Sequence, residues 1–206
     1  MIAVIDYGVG NLFSVEKAFA QFTDDVKVTS DKAEIKSAEK LVLPGVGEFG
    51  ACMKNLEASG LIPTIMERIS GGVPLLGICV GLQVLFEGSE ESPNAKGLGV
   101  FKGMVKRINA PGLKVPHMGW NSLRINPRSR LFKGIGQDVY VYFVHSYYLE
   151  AEDEEDVAAS TDYGVHIHAA VEHGKLFACQ FHPEKSSSVG LKILQNFIDI
   201  VHADKD

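Results

Sequence analysis

A cysteine lies between an apolar stretch and a helical stretch near the middle of the sequence. Residues 73–86 read VPLLGICVGLQVLF, in which Gly77 and Gly81 flank Cys79 at two residues on either side. This G-x-nucleophile-x-G spacing is typical of a nucleophile elbow, where a strand turns sharply into a helix and small residues prevent clashes. The helix would place its positive end at Cys79, favouring a thiolate, and would leave the Val80 amide free to bind an oxyanion.

A thiol nucleophile needs a base, and the base needs a group that orients it. His182 is the best candidate because it ends the apolar stretch FACQF and precedes Pro183, which favours an extended backbone. Side chains two residues apart in an extended chain point to the same side, so Glu184 can accept a hydrogen bond from the His182 ring. Cys79, His182 and Glu184 are therefore predicted as nucleophile, base and orienting acid.

The other cysteines have a simpler interpretation. Cys52 falls in an amphipathic helical pattern, and Cys179 alternates with phenylalanines along a predicted strand. We expect both to be buried apolar side chains. The cysteines are three in number and form no C-x-x-C pair, which favours reduced thiols over a disulfide framework.

The remaining histidines do not predict a metal site. His166 and His168 could face the same side of a strand, but no third ligand follows them, and neither a metal nor a cofactor is expected. His117 and His145 could line a site, whereas those at positions 173 and 202 are expected at the surface.

Residues 43–50 read LPGVGEFG and contain the G-x-G-x-x-G spacing of dinucleotide-binding loops. Such a loop should follow the first strand of its unit and precede an acidic residue about 20 positions later. This segment follows a third predicted strand, and Glu67, the nearest suitable acid, falls inside a predicted helix. A simpler interpretation is that Gly45 and Gly47 let an extended backbone approach a ligand or rotate a peptide unit.

Composition favours one soluble domain over residues 1–206. The net charge is −6 and no basic cluster occurs, which argues against a nucleic-acid surface. The apolar runs are far shorter than the roughly 20 residues that a membrane span needs, and the first residues lack the basic region of a leader peptide. We expect a cytoplasmic protein.

The order of predicted elements indicates an α/β fold. Strands are expected at 1–6, 26–30, 40–44 and 73–78, with helices at 11–22 and in an interrupted region over 49–70. This alternation predicts an open, mixed but mainly parallel sheet flanked by helices on both faces. From about residue 98 the chain becomes β-rich, which predicts an antiparallel extension. A last helix is expected over 187–202, and the acidic run 150–156 is expected to be a solvated loop.

Two of these segments, GICVGLQ and QFHPE, resemble the signature motifs of the triad-type class I glutamine amidotransferases. The segments IDYGVGNLFSV, LPGVGEFG, PHMGWN, YFVHSYY and QFHPEKSS, in this order, resemble one branch of that family, the glutaminase subunits of imidazole glycerol phosphate synthases. The match runs nearly end to end. Val80 and Leu82 stand where the family more often has Leu and Met.

The resemblance implies a class I amidotransferase fold, which is flavodoxin-like, and hydrolysis of the glutamine side-chain amide by Cys79, His182 and Glu184. It also implies that an amide of Gly45 or Val46 joins that of Val80 in an oxyanion hole. The substrate pocket it implies is bordered by Gln83, His145, Ser146 and Tyr147.

The resemblance further implies a partner. Free ammonia would be protonated in bulk water, so it must pass through a dry route, and the chain contains no Walker motif or synthetase segment that could use it. The family branch implies a (β/α)8-barrel cyclase in a heterodimer, with the cyclase's ligand activating the glutaminase. The cyclase would form imidazole glycerol phosphate and an aminoimidazole carboxamide ribotide in histidine biosynthesis. Lys185 is either an interface residue or simply solvated.

Three alternatives stay open at this level. The chain could be the glutaminase of another pathway, such as vitamin B6 or anthranilate synthesis, although PHMGWN and YFVHSYY favour the histidine pathway. It could be a scaffold that only regulates a partner, although all three triad residues are present. A peptidase-like cysteine hydrolase is disfavoured by Gln83 and by the pairing of His182 with Glu184.

Overall fold

A computed structural model of the chain describes residues 1–200. Its helices are α1 (Leu12–Phe19), α2 (Lys32–Ser37), α3 (Phe49–Ser59), α4 (Ile62–Ser70), α5 (Val80–Gln83) and α6 (Ser187–Asp199). Its strands are β1 (Ile2–Ile5), β2 (Val26–Thr29), β3 (Lys40–Gly45), β4 (Leu75–Cys79), β5 (Gly88–Ser89), β6 (Gly103–Arg107), β7 (His117–Ser122), β8 (Arg124–Ile125), β9 (Tyr140–His145), β10 (Tyr147–Ala151), β11 (Val157–Asp162), β12 (His166–His173) and β13 (Leu176–Cys179). Short 3-10 helices occupy Glu154–Asp156 and Pro183–Lys185.

The large sheet is mainly parallel with an antiparallel end. Its strand order is β2-β1-β3-β4-β13-β12-β11-β8. The first five strands of this order run parallel, and the last three are antiparallel to their neighbours. The fold predicted from the sequence, including the antiparallel extension from the second half of the chain, is confirmed. In this sheet Gly45 at the end of β3 is the register partner of Cys79 at the end of β4.

Helices pack in two groups around this sheet. Helix α1 packs against α6, and α2 packs against α4. The first group is joined to the sheet by edge-to-face aromatic contacts, in which Phe197 of α6 lies 6.2 Å from Phe19 of α1 and 5.9 Å from Phe177 of β13, between ring centroids. Such contacts stabilise the helical layer beyond the free energy of burying the rings.

Two small sheets flank the large one. One has the order β10-β6-β5, and the other consists of β7 and β9. Strand β7 covers all of the PHMGWN segment except its proline, a segment that the sequence did not identify as a strand, and it places His117 opposite His145. The two-residue alternation of β7 and β9 leaves Met118 and Trp120 on an exposed face while His117 is buried.

The structure corrects several predicted boundaries. Helix α1 ends at Phe19, three residues before the predicted end at Phe22. The short helix α2 was not predicted; it buries only Ile35 fully, so its apolar pattern is weak, and its start is fixed by Asp31, which accepts hydrogen bonds from two backbone amides. The last helix ends at Asp199, and Ile200 has an extended backbone instead of the predicted helical one. Positions 201 and 202 of the predicted 187–202 helix lie outside the described residues.

The acidic run 150–156 is not simply a solvated loop. Glu150 lies in β10 and pairs with Lys106 across the ladder at 2.8 Å. Asp156 ends a 3-10 helix, and its Oδ1 lies 2.8 Å from Nδ1 of His173 at the end of β12. The ion pair of Glu150 and the hydrogen bond between Asp156 and His173 hold the run against two neighbouring strands.

Candidate active site

The backbone at Cys79 has the strained geometry of a nucleophile elbow. Cys79 ends β4 with φ 57° and ψ −112°, a positive φ that non-glycine residues rarely adopt. Gly77 and Gly81, which the sequence predicted to flank the elbow, have no room for a side chain. A Cβ atom on Gly81 would lie 1.8 Å from the carbonyl oxygen of Leu43, and one on Gly77 would lie 2.8 Å from that of Gly81. The β3 backbone thus passes directly beneath the turn.

The helix predicted after the elbow is present but very short. Helix α5 spans only Val80–Gln83. One turn of helix aligns fewer peptide dipoles at Cys79 than the longer helix that the sequence suggested. The Val80 amide is nevertheless at the first helical position, where it has no partner within the helix, and Val80 lines the cavity beside Cys79.

His182 and Glu184 are brought together as a pair. His182 has an extended backbone (φ −99°, ψ 96°), and its Nδ1 lies 2.8 Å from Oε1 of Glu184. Both side chains are buried, with exposed fractions of 4% and 1%. The His182 backbone is fixed in turn, since its amide donates to the Tyr142 carbonyl and its carbonyl accepts from the Ser186 hydroxyl. In this geometry Nδ1 of His182 donates its proton in a hydrogen bond to Glu184, and Nε2 is free to exchange a proton with the reacting groups.

The electrostatics favour a charged His182. Burial by itself lowers the pKa of His182, but hydrogen bonds with Cys79 and with Glu184, together with their negative charges, outweigh burial and raise that pKa from 6.5 to about 9. His182 therefore sits between a thiol and a carboxylate and interacts with both, which is the arrangement that a nucleophile, a base and an orienting acid require.

Gln180 belongs to the same constellation and was missed at the sequence level. Its side chain is fully buried, with Nε2 3.8 Å from the Cys79 sulfur and Oε1 accepting a bond of 3.0 Å from Nε2 of Gln83. Gln83 also donates to the Tyr147 carbonyl at 3.2 Å. The signal was present, because Gln180 precedes His182 by two residues and side chains at that spacing in an extended segment share one side.

A cavity of about 310 Å³ opens above Cys79. The predicted site residues that line it are Val46, Cys79, Val80, Gln83, His145, Ser146, Tyr147 and His182. Gly45 does not line the cavity; it lies behind it, packed so closely that a Cβ atom would be 2.6 Å from the Gly81 amide nitrogen. The lining also includes Glu91 and Pro116, which the sequence did not indicate.

The ring of His145 is engaged within the protein. Its Nδ1 lies 2.8 Å from the Tyr147 carbonyl, so that nitrogen carries the proton and Nε2 accepts a bond of 2.9 Å from Nδ1 of His117. Burial lowers the pKa of His145 to about 3 and that of His117 to about 4, so both rings are neutral near pH 7. The His145 side chain thus has no nitrogen left to bind a ligand. Residues 145–147 can therefore contact a ligand through their backbone.

Comparison with known proteins decides the family. A sequence profile described as glutamine amidotransferase class I matches residues 3–201. The chain belongs to the class I glutamine amidotransferase family. It is therefore a glutamine amidotransferase, as the resemblance implied.

Similar amidotransferases include subunits of one enzyme. The chain is 50% identical to the imidazole glycerol phosphate synthase subunit HisH of Moorella thermoacetica over 97% of this chain and 95% of that one. It is 52% identical to the subunit of the same name from Methanothermobacter thermautotrophicus over 98% and 100%, respectively. The predicted resemblance to this branch is confirmed.

The fold agrees with that of a solved amidotransferase. A crystal structure of a glutamine amidotransferase superimposes with a TM-score of 0.76 at 22% identity, covering 97% of this chain and 98% of that one. Within residues 1–200, none of the helices has the length and apolar character that crossing a lipid bilayer would require.

Proposed function

We propose that the chain is the glutaminase subunit of an imidazole glycerol phosphate synthase and releases ammonia from glutamine with Cys79, His182 and Glu184. The observation that carries the proposal is the placement of His182, which interacts with Cys79 on one side and Glu184 on the other at the base of the cavity. The full-length relatives at about 50% identity support the pathway, since they carry the name of that synthase.

The chemistry follows from the positions of the reacting groups. The Cys79 thiolate attacks the side-chain carbonyl of glutamine, and the C–N bond breaks as His182 donates a proton to the leaving ammonia. His182 then takes a proton from water as that water attacks the thioester. The C–S bond breaks, which releases glutamate with its carboxyl proton and restores the Cys79 thiolate beside the protonated His182. Glu184 holds His182 with Nε2 directed to the reaction and stabilises its charged form.

The oxyanion of each tetrahedral intermediate is stabilised by backbone amides. Val80 contributes the amide at the first position of α5, and Val46, which lines the same cavity from the end of β3, contributes the second. Gly45 lies behind the cavity and contributes by having no side chain, which lets β3 approach the elbow. Each such donor is typically worth about 10²–10³ in rate.

The cavity suits an amino acid with a short amide side chain. Glu91 provides a carboxylate in the lining that can pair with the α-ammonium group. Gln83 is held by its bonds to Tyr147 and Gln180, so it presents a fixed polar surface. Residues 145–147 also line the cavity.

The partner surface is proposed to be the exposed face of the small β7–β9 sheet. Met118, Trp120 and Tyr140 are 62%, 52% and 57% exposed, and the strand register places Met118 beside Val144, which lines the cavity. An exposed apolar patch at the mouth of an ammonia-producing site fits a docked subunit that excludes water. A (β/α)8-barrel cyclase is the proposed partner in a heterodimer, with its ligand state setting the glutaminase rate. Lys185, which is exposed beside the triad, is a candidate contact.

We further propose a single amidotransferase domain over residues 1–206 and a cytoplasmic location. The main hydrophobic core draws on residues from Ile2 to Ile200, beside one small separate cluster around Ile108 and Ile167, and this supports the first proposal. The biosynthetic relatives support the second.

The deciding experiment measures glutamate release from glutamine by the purified chain, alone and with the barrel cyclase of the same organism plus the cyclase's nucleotide ligand. Cysteine-dependent turnover that rises steeply with the liganded cyclase is the expected result, and Cys79→Ala is the control. Absence of turnover in a complex that has demonstrably assembled, or turnover that persists in Cys79→Ala, would show that the proposal is wrong.

The docking face has its own test. Trp120→Ala should weaken the complex at least about tenfold in a titration with the cyclase, as expected for a central aromatic contact. Phe22→Ala is the matched control, since Phe22 is also exposed but lies between α1 and β2, at the opposite edge of the parallel strands from Cys79. Equal affinities of the two variants would place the interface elsewhere.

A further inference from the structure

Two buried side chains hold the backbone of residues 44–46 from below. The Tyr7 hydroxyl donates to the Pro44 carbonyl at 2.7 Å, and the Cys52 thiol donates to the Val46 carbonyl at 3.3 Å. Tyr7 is 5% exposed and Cys52 is fully buried in α3, and the two polar groups lie beside each other. A Cβ atom added to Gly45 would lie only 2.9 Å from the Tyr7 hydroxyl oxygen, so Tyr7 also packs closely against Gly45.

Pro44 and Gly45 are also held by the pairing of β3 with β4, but beyond Gly45 the segment has little other restraint. Strand β3 ends at Gly45, Val46 is 39% exposed, and Gly47 has φ 92° with open space around it. Within residues 1–200, the bonds from Tyr7 and Cys52 are the only side-chain hydrogen bonds to the backbone of 44–47.

Both groups remain donors over the working pH range. Burial raises the pKa of Tyr7 far above its ordinary value and raises the pKa of Cys52 to about 11. The two bonds differ in strength, since a hydroxyl is a good donor and a thiol is a weak one. The segment is therefore held firmly at Pro44 and more softly at Val46.

We propose that Tyr7 and Cys52 are positioning residues for the glutaminase reaction: together they hold the Pro44–Val46 backbone so that the Val46 amide faces the oxyanion. The inference rests on the proposed function, in which this backbone forms one side of the oxyanion hole. Cys52, whose sequence pattern predicted only a buried apolar side chain, acquires a second role as a hydrogen-bond donor.

The clamp itself is tested without any activity measurement. Amide hydrogen exchange, read by mass spectrometry on peptides covering 44–47, should be faster in Tyr7→Phe and in Cys52→Ala than in the wild-type chain. Cys179→Ala is the matched control, because it also deletes a fully buried thiol, but one that donates to the Phe181 carbonyl instead. The proposal is wrong if residues 44–47 exchange at the wild-type rate in both Tyr7→Phe and Cys52→Ala, or if Cys179→Ala accelerates their exchange equally.

The catalytic consequence is tested on the complex with the cyclase. Tyr7→Phe and Cys52→Ala should each lower the glutaminase kcat about 3–10-fold with KM nearly unchanged, since losing one neutral hydrogen bond typically costs 0.5–1.5 kcal/mol. Cys52→Ser, which keeps a donor, should lose less than Cys52→Ala. Equal losses for Ser and Ala, or a change confined to KM, contradict a positioning role. A wild-type complex that releases no glutamate would instead refute the proposed function, while the exchange result still decides on the clamp.

Discussion

His182 and Glu184 are joined by a 2.8 Å bond from Nδ1 to Oε1 although only Pro183 separates them in the chain. The second carboxylate oxygen of Glu184 is buried and has no partner among the residues that the structure describes. A buried carboxylate with one unsatisfied oxygen is costly. Its interaction with a charged His182 offsets that cost, so the pair is organised around the protonated form of the ring.

The first prediction concerns this carboxylate. Glu184→Gln preserves the shape of the side chain but removes the charge that orients and stabilises His182, so kcat for glutamate release should fall about 10²–10⁴-fold, the range for a compromised general acid and base. Steady-state kinetics of the cyclase complex measure this, with the iodoacetamide reaction of Cys79 showing that the elbow is intact. A loss of less than tenfold would mean that Glu184 is structural only.

The second prediction is a pH dependence of stability. The pKa of His182 is raised from 6.5 to about 9 on folding, so its contribution is fully present below about pH 6.5 and is lost as the pH rises through about 9. The difference in the free energy of unfolding between the wild-type chain and His182→Gln should therefore shrink with rising pH, by up to about 3 kcal/mol. Urea titrations at several pH values between 6 and 10 measure it; a difference that stays constant would contradict the raised pKa.

Features that depend on residues close together in the chain could be predicted from the sequence, whereas contacts between distant residues could not. The elbow at Cys79 and the pairing of His182 with Glu184 depend on spacing within a few residues, so both could be predicted. The alternation of strands with helices from β1 to β4 predicted the parallel sheet. The clamp of Tyr7 on Pro44 joins residues 37 apart, and the bond of Gln83 to Gln180 joins residues 97 apart. Such contacts arise only from tertiary packing, which no periodicity encodes.

Strand β7 illustrates a different limit. The segment from His117 to Ser122 contains Gly119 and Asn121, which disfavour a strand. It is a strand because its partner β9 and the bond of His117 to His145 hold it. Tertiary pairing overrides local propensity here, and it produces the exposed Met118 and Trp120 face that the sequence could not localise.

The third prediction concerns the space beneath the elbow. Gly81→Ala should destabilise the chain severely, by more than about 4 kcal/mol or to the point of insolubility, because its Cβ atom would lie 1.8 Å from a backbone oxygen of Leu43 that cannot move freely. Gly136→Ala is the matched control, since Gly136 is exposed and a Cβ atom there has no neighbour within 4 Å. Thermal unfolding compares them, and similar Tm values for the two variants would show that β3 does not constrain the turn.

The fourth prediction concerns the neutral histidine pair. The pKa values of His117 and His145 are lowered from 6.5 to about 4 and about 3, mainly by burial. The unfolded chain therefore takes up protons first as the pH falls below about 6.5, and stability is lost progressively from there down to about pH 4 for His117 and about pH 3 for His145. His117→Gln, which removes one of the two groups, should flatten the decline in the free energy of unfolding between pH 6.5 and 4 by up to about 3 kcal/mol. Denaturant titrations across this range measure it, and a slope equal to that of the wild-type chain would contradict the neutral pair.

The last prediction isolates the second oxyanion donor. Val46→Pro removes the amide hydrogen of Val46 while leaving Cys79 and His182 in place, so kcat should fall about 10²–10³-fold, as for other single oxyanion-hole donors. Val46→Ala is the control, because it keeps the amide and deletes only a side chain that is already 39% exposed. Reaction of Cys79 with iodoacetamide needs no oxyanion hole and should proceed at a similar rate in both variants. If Val46→Ala loses as much kcat as Val46→Pro, the Val46 side chain rather than its amide is what the reaction needs, and the oxyanion hole must be completed by a different amide.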